Sequence, residues 1–291
     1  MIAVFGKEIH DEYFEFYQKI IRRIEAEGCC LLVDEGFYKK TYGTITYAQE
    51  PILYSTLKGL PKETSFLFSI GGDGTFLDSV HLVGNKKIPV LGFNFGRMGF
   101  LSVVQIDKID NVLNAIFDNQ YAIEERSLIT LQDENNTFGN MNVGLNEVCF
   151  SRKEPYSLLT INVWVDGLFL NRYWGDGLII ATPTGSTAYS LSCAGPILCP
   201  DVKSFVLSPI ASHNLTVGSI VIPDSSMIKV VVECREKEFC VNVDSSSSDF
   251  KSGSKFIVTK NKYDFNIVRL LNDNFFNTIR EKLSWGIDVR N

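Results

Sequence analysis

Apolar residues in the first third of the chain follow two alternating rhythms. Ile2 to Phe5 is an apolar run of strand length, and the next apolar positions, Tyr13, Phe14, Tyr17, Ile20, Ile21 and Ile24, recur at the spacing of a helix face. Asp11 is placed to cap that helix and Gly28 to stop it. Cys29 to Val33 and Phe66 to Ile70 read as strands. A helix from about Thr75 to Val83, a strand at Ile88 to Leu91 and a helix from about Ile106 to Phe117 follow. This alternation predicts a parallel sheet with helices on its faces. Residues 36–60 show no clear period.

Beyond Tyr121 the pattern changes. Leu159, Ile161, Val163 and Val165 alternate strictly with polar or half-polar positions, the mark of a half-buried strand. Asp166-Gly167 is a strong hairpin signal, with Leu168 to Trp174 as the returning strand. Further β-type runs lie at Gly177–Ala181, Phe205–Leu207, Ser219–Ile222, Met227–Cys234, Phe239–Val243, Phe256–Thr259 and Asp264–Val268. Ser245 to Ser248 reads as a polar turn. Phe275, Phe276, Ile279 and Leu283 then form one helical face that needs a place to dock. At 291 residues the chain has the length of two domains. The expected division is an α/β domain at 1–122, a mostly-β domain at 123–268 and a carboxyl-terminal segment at 269–291.

Composition narrows the function classes. Apolar residues make up 45% and charged residues 21%, which excludes disorder of the whole chain. With 28 basic against 34 acidic residues the net charge is −6, so no basic surplus exists to neutralise a nucleic-acid backbone. No apolar run has the length of a membrane span, and the apolar start is too short for a signal peptide. The expectation is a soluble cytoplasmic protein without nucleic-acid or membrane partners. The seven cysteines are scattered, odd in number and without a C-x-x-C pair. They read as small buried hydrophobes in a reducing compartment. His10, His81 and His213 show no ligand spacing, and no structural metal is expected.

Three segments carry candidate chemistry. Gly71-Gly72-Asp73-Gly74-Thr75 joins a buried strand to a helix, where glycines allow a phosphate close approach and the helix amino end offers free N–H groups. No Gly-Lys-[Ser/Thr] follows, so this is not a Walker A loop, and it is not a G-x-G-x-x-G fingerprint. Asp73 would repel a phosphate unless it held a metal ion or took a proton, both of them roles in phosphoryl transfer. The alternative is a simple helix cap. The second segment, Gly177 to Ile197, concentrates small hydroxyl residues around Pro183 and Gly185, with Tyr189 as a stacking face and Asp176 at its entrance. It cannot build a core, and its density favours a polar ligand over the alternative, a β-turn with capping hydroxyls. The third is Asn146-Glu147, a polar pair opening the apolar run Val148-Cys149-Phe150, able to bind ribose hydroxyls or a base edge but, read alone, more often a solvated strand edge.

Taken in order, GGDGTFL at 71–77, GFNFGRMGFL at 92–101, NE at 146–147 and DGLIIATPTGSTAYSLSCAGPI at 176–197 resemble the NAD kinase family, with weaker similarity through PIASHNLTVGSIVIP at 209–223. The first motif is shared with diacylglycerol and sphingosine kinases and in related form with phosphofructokinases. The NE pair joined to TPTGSTAYSLS is specific to NAD kinases. The resemblance implies an α/β domain, a β-sandwich domain and a chain end returning to the first. It implies transfer of the ATP γ-phosphate to the 2′-hydroxyl of the adenosine ribose of NAD, assisted by Mg²⁺ or a similar cation, in a homodimer or homotetramer.

On this resemblance Asp73 is the catalytic residue, and Gly71, Gly72, Gly74 and Thr75 form the phosphate loop. NAD would be held by Asp73, Gly74, Asn146, Glu147, Trp174, Asp176, Thr187, Ala188, Tyr189, Ser190, Leu191, Ser192, Ala211 and Ser246, with Arg97 placed for a phosphate contact. Two positions depart from the family pattern. Trp174 stands where Arg or Lys is common, and Asp244-Ser245-Ser246 replaces an Asp-Gly-Gln sequence. The competing readings are a lipid kinase sharing the glycine loop and a non-catalytic NAD(P) sensor.

Overall fold

The structure is a computed structural model that describes residues 1–7, 9–95, 99–101, 104, 106–154, 157–214, 216–271 and 273–286. The chain divides into two units, Met1–Glu125 with Asn266–Asn291, and Arg126–Phe265.

The first unit begins with β1 (Ile2–Phe5), α1 (Phe14–Ala26), β2 (Leu31–Asp34), α2 (Glu35–Thr41) and β3 (Ile52–Tyr54). It continues with β4 (Phe66–Ile70), α3 (Asp73–Val83), β5 (Val90–Phe93), α4 (Ile109–Phe117) and β6 (Tyr121–Arg126). Tyr17, Ile20, Ile21 and Ile24 are the buried stripe of α1, as the spacing predicts. Gly28, at φ +68°, ends that helix and donates its N–H to the Glu25 carbonyl. Asp11 does not cap it. A short 3₁₀ turn, Asp11–Tyr13, precedes α1 and absorbs Asp11 into its own first position. The segment without a clear period holds α2 and β3. Only Phe37 and Thr41 of α2 are buried, too few to set a rhythm, and Asp34 starts the helix by accepting the Phe37 N–H at 3.0 Å.

The second unit is a β-sandwich. Its strands are β7 (Ile129–Asp133), β8 (Val143–Gly144), β9 (Glu147–Ser151), β10 (Leu159–Val165), β11 (Leu168–Gly175) and β12 (Gly177–Ala181). The short helix α5 (Tyr189–Ser192) precedes β13 (Ser204–Ile210), β14 (Ile220–Pro223), β15 (Ile228–Cys234), β16 (Glu238–Val243), β17 (Ser246–Lys251) and β18 (Lys255–Lys260). One antiparallel sheet runs β11-β10-β15-β18-β7-β8 and the other β14-β13-β12-β9-β16-β17. Inward residues of both, among them Ile161, Val230, Phe256, Phe150, Ile180 and Phe239, share one core. The Asp166-Gly167 hairpin forms with both residues at positive φ, 51° and 82°. The reading of Ser245 to Ser248 as a turn needs correction: only Asp244 and Ser245 turn, and β17 starts at Ser246. Pairing along β16 outweighs the polar composition there. The cysteines need correction too. Only Cys149 is buried, Cys30 is exposed and the other five are intermediate. Cys240, for example, faces away from the core between the buried Phe239 and Val241.

The chain then returns to the first unit through β19 (Phe265–Leu270) and α6 (Phe275–Leu283). β19 lies parallel to β5, completing a sheet of order β3-β2-β1-β4-β5-β19-β6. The pairs β2–β3, β1–β2, β1–β4 and β4–β5 are also parallel. Strand order reverses between β1 and β4, and in open α/β sheets ligands bind beyond the carboxyl ends of strands at such a reversal.

Candidate active site

β4 delivers Gly71 to that position. Phe68 and Ile70 anchor the strand in the core, and the Gly71 N–H reaches the Phe93 carbonyl of β5 at 2.9 Å. Gly71 has φ +146°, and a Cβ there would lie 2.5 Å from Thr75 Oγ1, so the tight turn into α3 requires glycine. Gly72 and Gly74 are exposed while Thr75 is buried beneath them. Gly72 caps α3 with no side chain, leaving the helix amino end open to an anion. Asp73 is the first helical residue. Its carboxylate accepts the N–H groups of Phe100 at 2.9 Å and Leu101 at 3.3 Å. Lys7, just after β1, pairs with Asp78 further along α3 at 2.6 Å. Arg97 lies outside the described residues.

In the second unit the Asn146-Glu147 pair opens β9. The Asp244 carboxylate accepts three consecutive N–H groups, those of Leu145 at 2.7 Å, Asn146 at 2.9 Å and Glu147 at 3.0 Å. Asp244 returns its own N–H to the Glu147 carbonyl. The Thr182–Thr187 loop packs onto the same pair, with Thr182 N–H on the Asn146 carbonyl at 2.8 Å. A Cβ at Gly185 would come within 2.1 Å of that carbonyl oxygen. Most of the hydroxyls offered by the sequence hold this loop together. Thr182 donates to the Leu145 carbonyl, Ser186 to the Pro183 carbonyl and Thr187 to the Thr184 carbonyl. Ser190 is fully buried and bonded to Ser208 at 2.9 Å. Thr187, Ala188 and Leu191 are half-buried, and Tyr189 and Ser192 are exposed on α5.

Asp176 follows β11 and pairs with Arg152 at 2.9 Å, so a cation stands beside it without one at position 174. Trp174 alternates with the buried Tyr173 and Gly175, which turns it outward. There it lines a cleft with Leu158, Thr160, Glu233, Cys234 and Arg235. Ala211 is exposed at φ +43°, and Ser246 opens β17 opposite Val243. Among the described residues no group of three His, Cys, Asp or Glu side chains is placed to hold a metal ion.

Residues 2–121 match the family model for the ATP-NAD kinase N-terminal domain, and residues 145–270 match that for the ATP-NAD kinase C-terminal domain. The chain belongs to the NAD kinase family. It is 36% identical over 292 residues to the NAD kinase of Christiangramia forsetii, covering 100% of this chain and 99% of that one. The Flavobacterium johnsoniae NAD kinase is 39% identical with the same coverage. Yeast NADH kinase complexed with NADH shares the fold, with a TM-score of 0.84 at 23% identity over 99% of this chain and 88% of that one. An Archaeoglobus fulgidus NAD kinase in complex with ATP does so with a TM-score of 0.70 at 23% identity, over 96% and 98% respectively. The chain is thus an NAD kinase, an enzyme that transfers phosphate.

Five residues of this geometry carried no role in the reading of the sequence. Gly99, Phe100 and Leu101 lie within the quoted GFNFGRMGFL run, whose small residue before two apolar ones was the available signal. Arg152 and the three-point grip of Asp244 depend on contacts distant in sequence and leave no local signal.

Glu147 has an unusual titration. Burial, and after it the Asp244 charge, pushes its carboxyl from 4.5 up to about 8, and Oε2 is buried without a hydrogen-bond partner among the described residues. The folded protein holds this proton more tightly than the unfolded chain. Its contribution to stability is complete below 4.5 and is lost as pH rises through about 8. Glu147→Gln removes that dependence. The melting temperature of the variant relative to wild type is therefore expected to rise between about pH 4.5 and pH 8, where the unfolded chain is ionised while the folded protein keeps its proton, and to level off above that. Parallel melting curves would show the role absent.

Proposed function

We propose that the 2′-hydroxyl of the adenosine ribose of NAD attacks the γ-phosphorus of ATP, with Asp73 receiving the hydroxyl proton, to give NADP and ADP. The observation that carries this reading is the Asp73 carboxylate, fixed at the open amino end of α3 by the Phe100 and Leu101 N–H groups. The fixed position matters because phosphoryl transfer depends chiefly on placement and charge. Gly71, Gly72, Gly74 and Thr75 cradle the phosphates. Mg²⁺ brought with the nucleotide would neutralise charge on the phosphates. Asn146, Glu147, Asp176 and the 187–192 segment hold the dinucleotide. A protonated Glu147 donates to a ribose oxygen, and its buried, unpartnered Oε2 supports that role. Ala211 and Ser246 are further contacts on this reading, and Trp174 a further one if it stacks on the ligand.

Homo-oligomerisation through the β unit is supported by the exposed apolar residues Leu168, Phe169 and Trp174 on β11. Among the described residues no helix is long and apolar enough to cross a membrane, which suits the proposed cytoplasmic location. The test is a coupled assay with NAD⁺, ATP and Mg²⁺, read by an NADP-specific dehydrogenase. Product is expected with NAD⁺, and none is expected to form from diacylglycerol or sphingosine in a parallel phosphorylation assay. NADP binding without any transfer would overturn the reading in favour of a sensor.

A further inference from the structure

The last turn of α6 carries Lys282, whose ammonium has an unusual setting. Its Nζ is buried and has no hydrogen-bond partner among the described residues. Of the two carboxylates that favour its charge, Asp73 has the larger influence and Glu281 the smaller. α6 packs close to the segment that grips Asp73. Asn277, Thr278 and Glu281 line one cleft with Val104 and Lys108, and Val104 follows closely on the Gly99–Leu101 stretch that grips Asp73. The helix is held there by its buried Thr278 and Ile279 and begins with the Asn274 side chain accepting the Asn277 N–H at 2.9 Å.

Desolvating an ammonium without a hydrogen-bond partner is costly, and burial lowers Lys282 from 10.5 to about 8. A methionine or leucine would fill such a position at less cost. The arrangement becomes favourable when an anion arrives. The glycine loop has no lysine of its own, unlike a Walker A loop.

We propose that Lys282 contacts the phosphoryl group being transferred and supplies the cation that the Gly71–Thr75 loop lacks. This rests on the reading of that loop and Asp73 as the phosphoryl-transfer centre. In the step, the ribose oxygen forms its bond to the γ-phosphorus as the bond to the β,γ-bridging oxygen breaks. The hydroxyl proton passes to Asp73, and ADP leaves with the electron pair. Lys282 keeps its protons throughout and offsets the charge on the phosphoryl oxygens.

The test uses Lys282→Met and Lys282→Arg in the full chain. Loss of one preorganised donor to the transition state predicts that Lys282→Met lowers kcat/KM for ATP by about 10²-fold. NAD affinity by calorimetry should be unchanged, and the melting temperature unchanged or higher. Lys282→Arg should recover much of the rate. Measured at saturating NAD, so that Glu147 is already engaged, the wild-type kcat/KM for ATP should fall with a midpoint near 8. The arginine variant should lose that limb, because its guanidinium stays charged.

Wild-type kcat/KM in Lys282→Met, or a loss matched by weaker NAD binding and a lower melting temperature, would overturn the proposal. Should the methionine variant fail to fold, an unchanged basic limb in Lys282→Arg overturns it alone. Asp73→Asn separates the two readings. If that variant is inert while Lys282→Met is fully active, only the lysine's role fails. If Asp73→Asn is itself active, the underlying reading fails.

Discussion

Asp73→Asn is expected to keep the fold and bind NAD while losing turnover, with kcat lower by about 10³-fold or more, the range for removing a positioned general base. The change is isosteric. Phe100 N–H and Leu101 N–H bond separate carboxylate oxygens, so the amide can satisfy only one of them. The lost hydrogen bond costs about 1 kcal/mol, visible as a small drop in melting temperature rather than unfolding. The amide has no lone pair basic enough to take the ribose proton, and that loss falls on the chemical step alone. Calorimetry with NAD⁺ and the coupled assay separate the two effects. Turnover near the wild-type rate would remove Asp73 from the chemistry and leave it as a helix-end residue. Weakened NAD binding in proportion to the lost rate would make it a binding group instead.

The parts of the fold that could be read from the sequence are those where burial is one-sided and local. Leu159, Ile161 and Val163 alternate because one face of β10 meets the core, and Asp166-Gly167 carries the positive φ values that a tight hairpin demands. Tyr17, Ile20, Ile21 and Ile24 are legible for the same reason at helical period. Short elements were not. β8 has only two residues, and β6 buries only Arg126 of its six side chains, so neither imposes a period.

For the site, composition located the segments but not the direction of their side chains. The hydroxyls of Thr182, Ser186 and Ser190 looked available to a ligand, yet all three are buried and spent on bonds within the protein, to the Leu145 carbonyl, the Pro183 carbonyl and Ser208. Asp244 drew notice only for its neighbours Ser245 and Ser246. Its grip on Leu145, Asn146 and Glu147 joins residues nearly a hundred positions apart, which no local pattern encodes. Lys282 is hidden in the same way, as one charged residue on an amphipathic helix until α6 is placed in the first unit.

Gly99→Ala is expected to reduce turnover severely at little cost in stability, and it separates catalytic placement from folding. A Cβ at position 99 would lie 1.9 Å from Asp73 Oδ1 and 2.2 Å from Oδ2, distances no structure tolerates. What must yield is the end of a side chain, so the carboxylate rotates away and the backbone stays. Gly185 provides the contrast, since its Cβ would meet the Asn146 carbonyl oxygen at 2.1 Å and carbonyl carbon at 2.5 Å, all main chain. Gly185→Ala should therefore lower the melting temperature and disturb the Asn146-Glu147 pair. Gly99→Ala should melt close to wild type. With Asp73 displaced from the Phe100 and Leu101 N–H groups, its kcat should fall by about 10²-fold, the cost of misplacing a reacting group by about an ångström. KM for NAD should hardly move, because the atoms nearest to that Cβ all belong to Asp73. A Gly99→Ala enzyme with wild-type kcat would mean that the carboxylate position seen here is not the one used in the reaction. A large fall in melting temperature would mean that the 99–101 segment serves the fold before it serves Asp73.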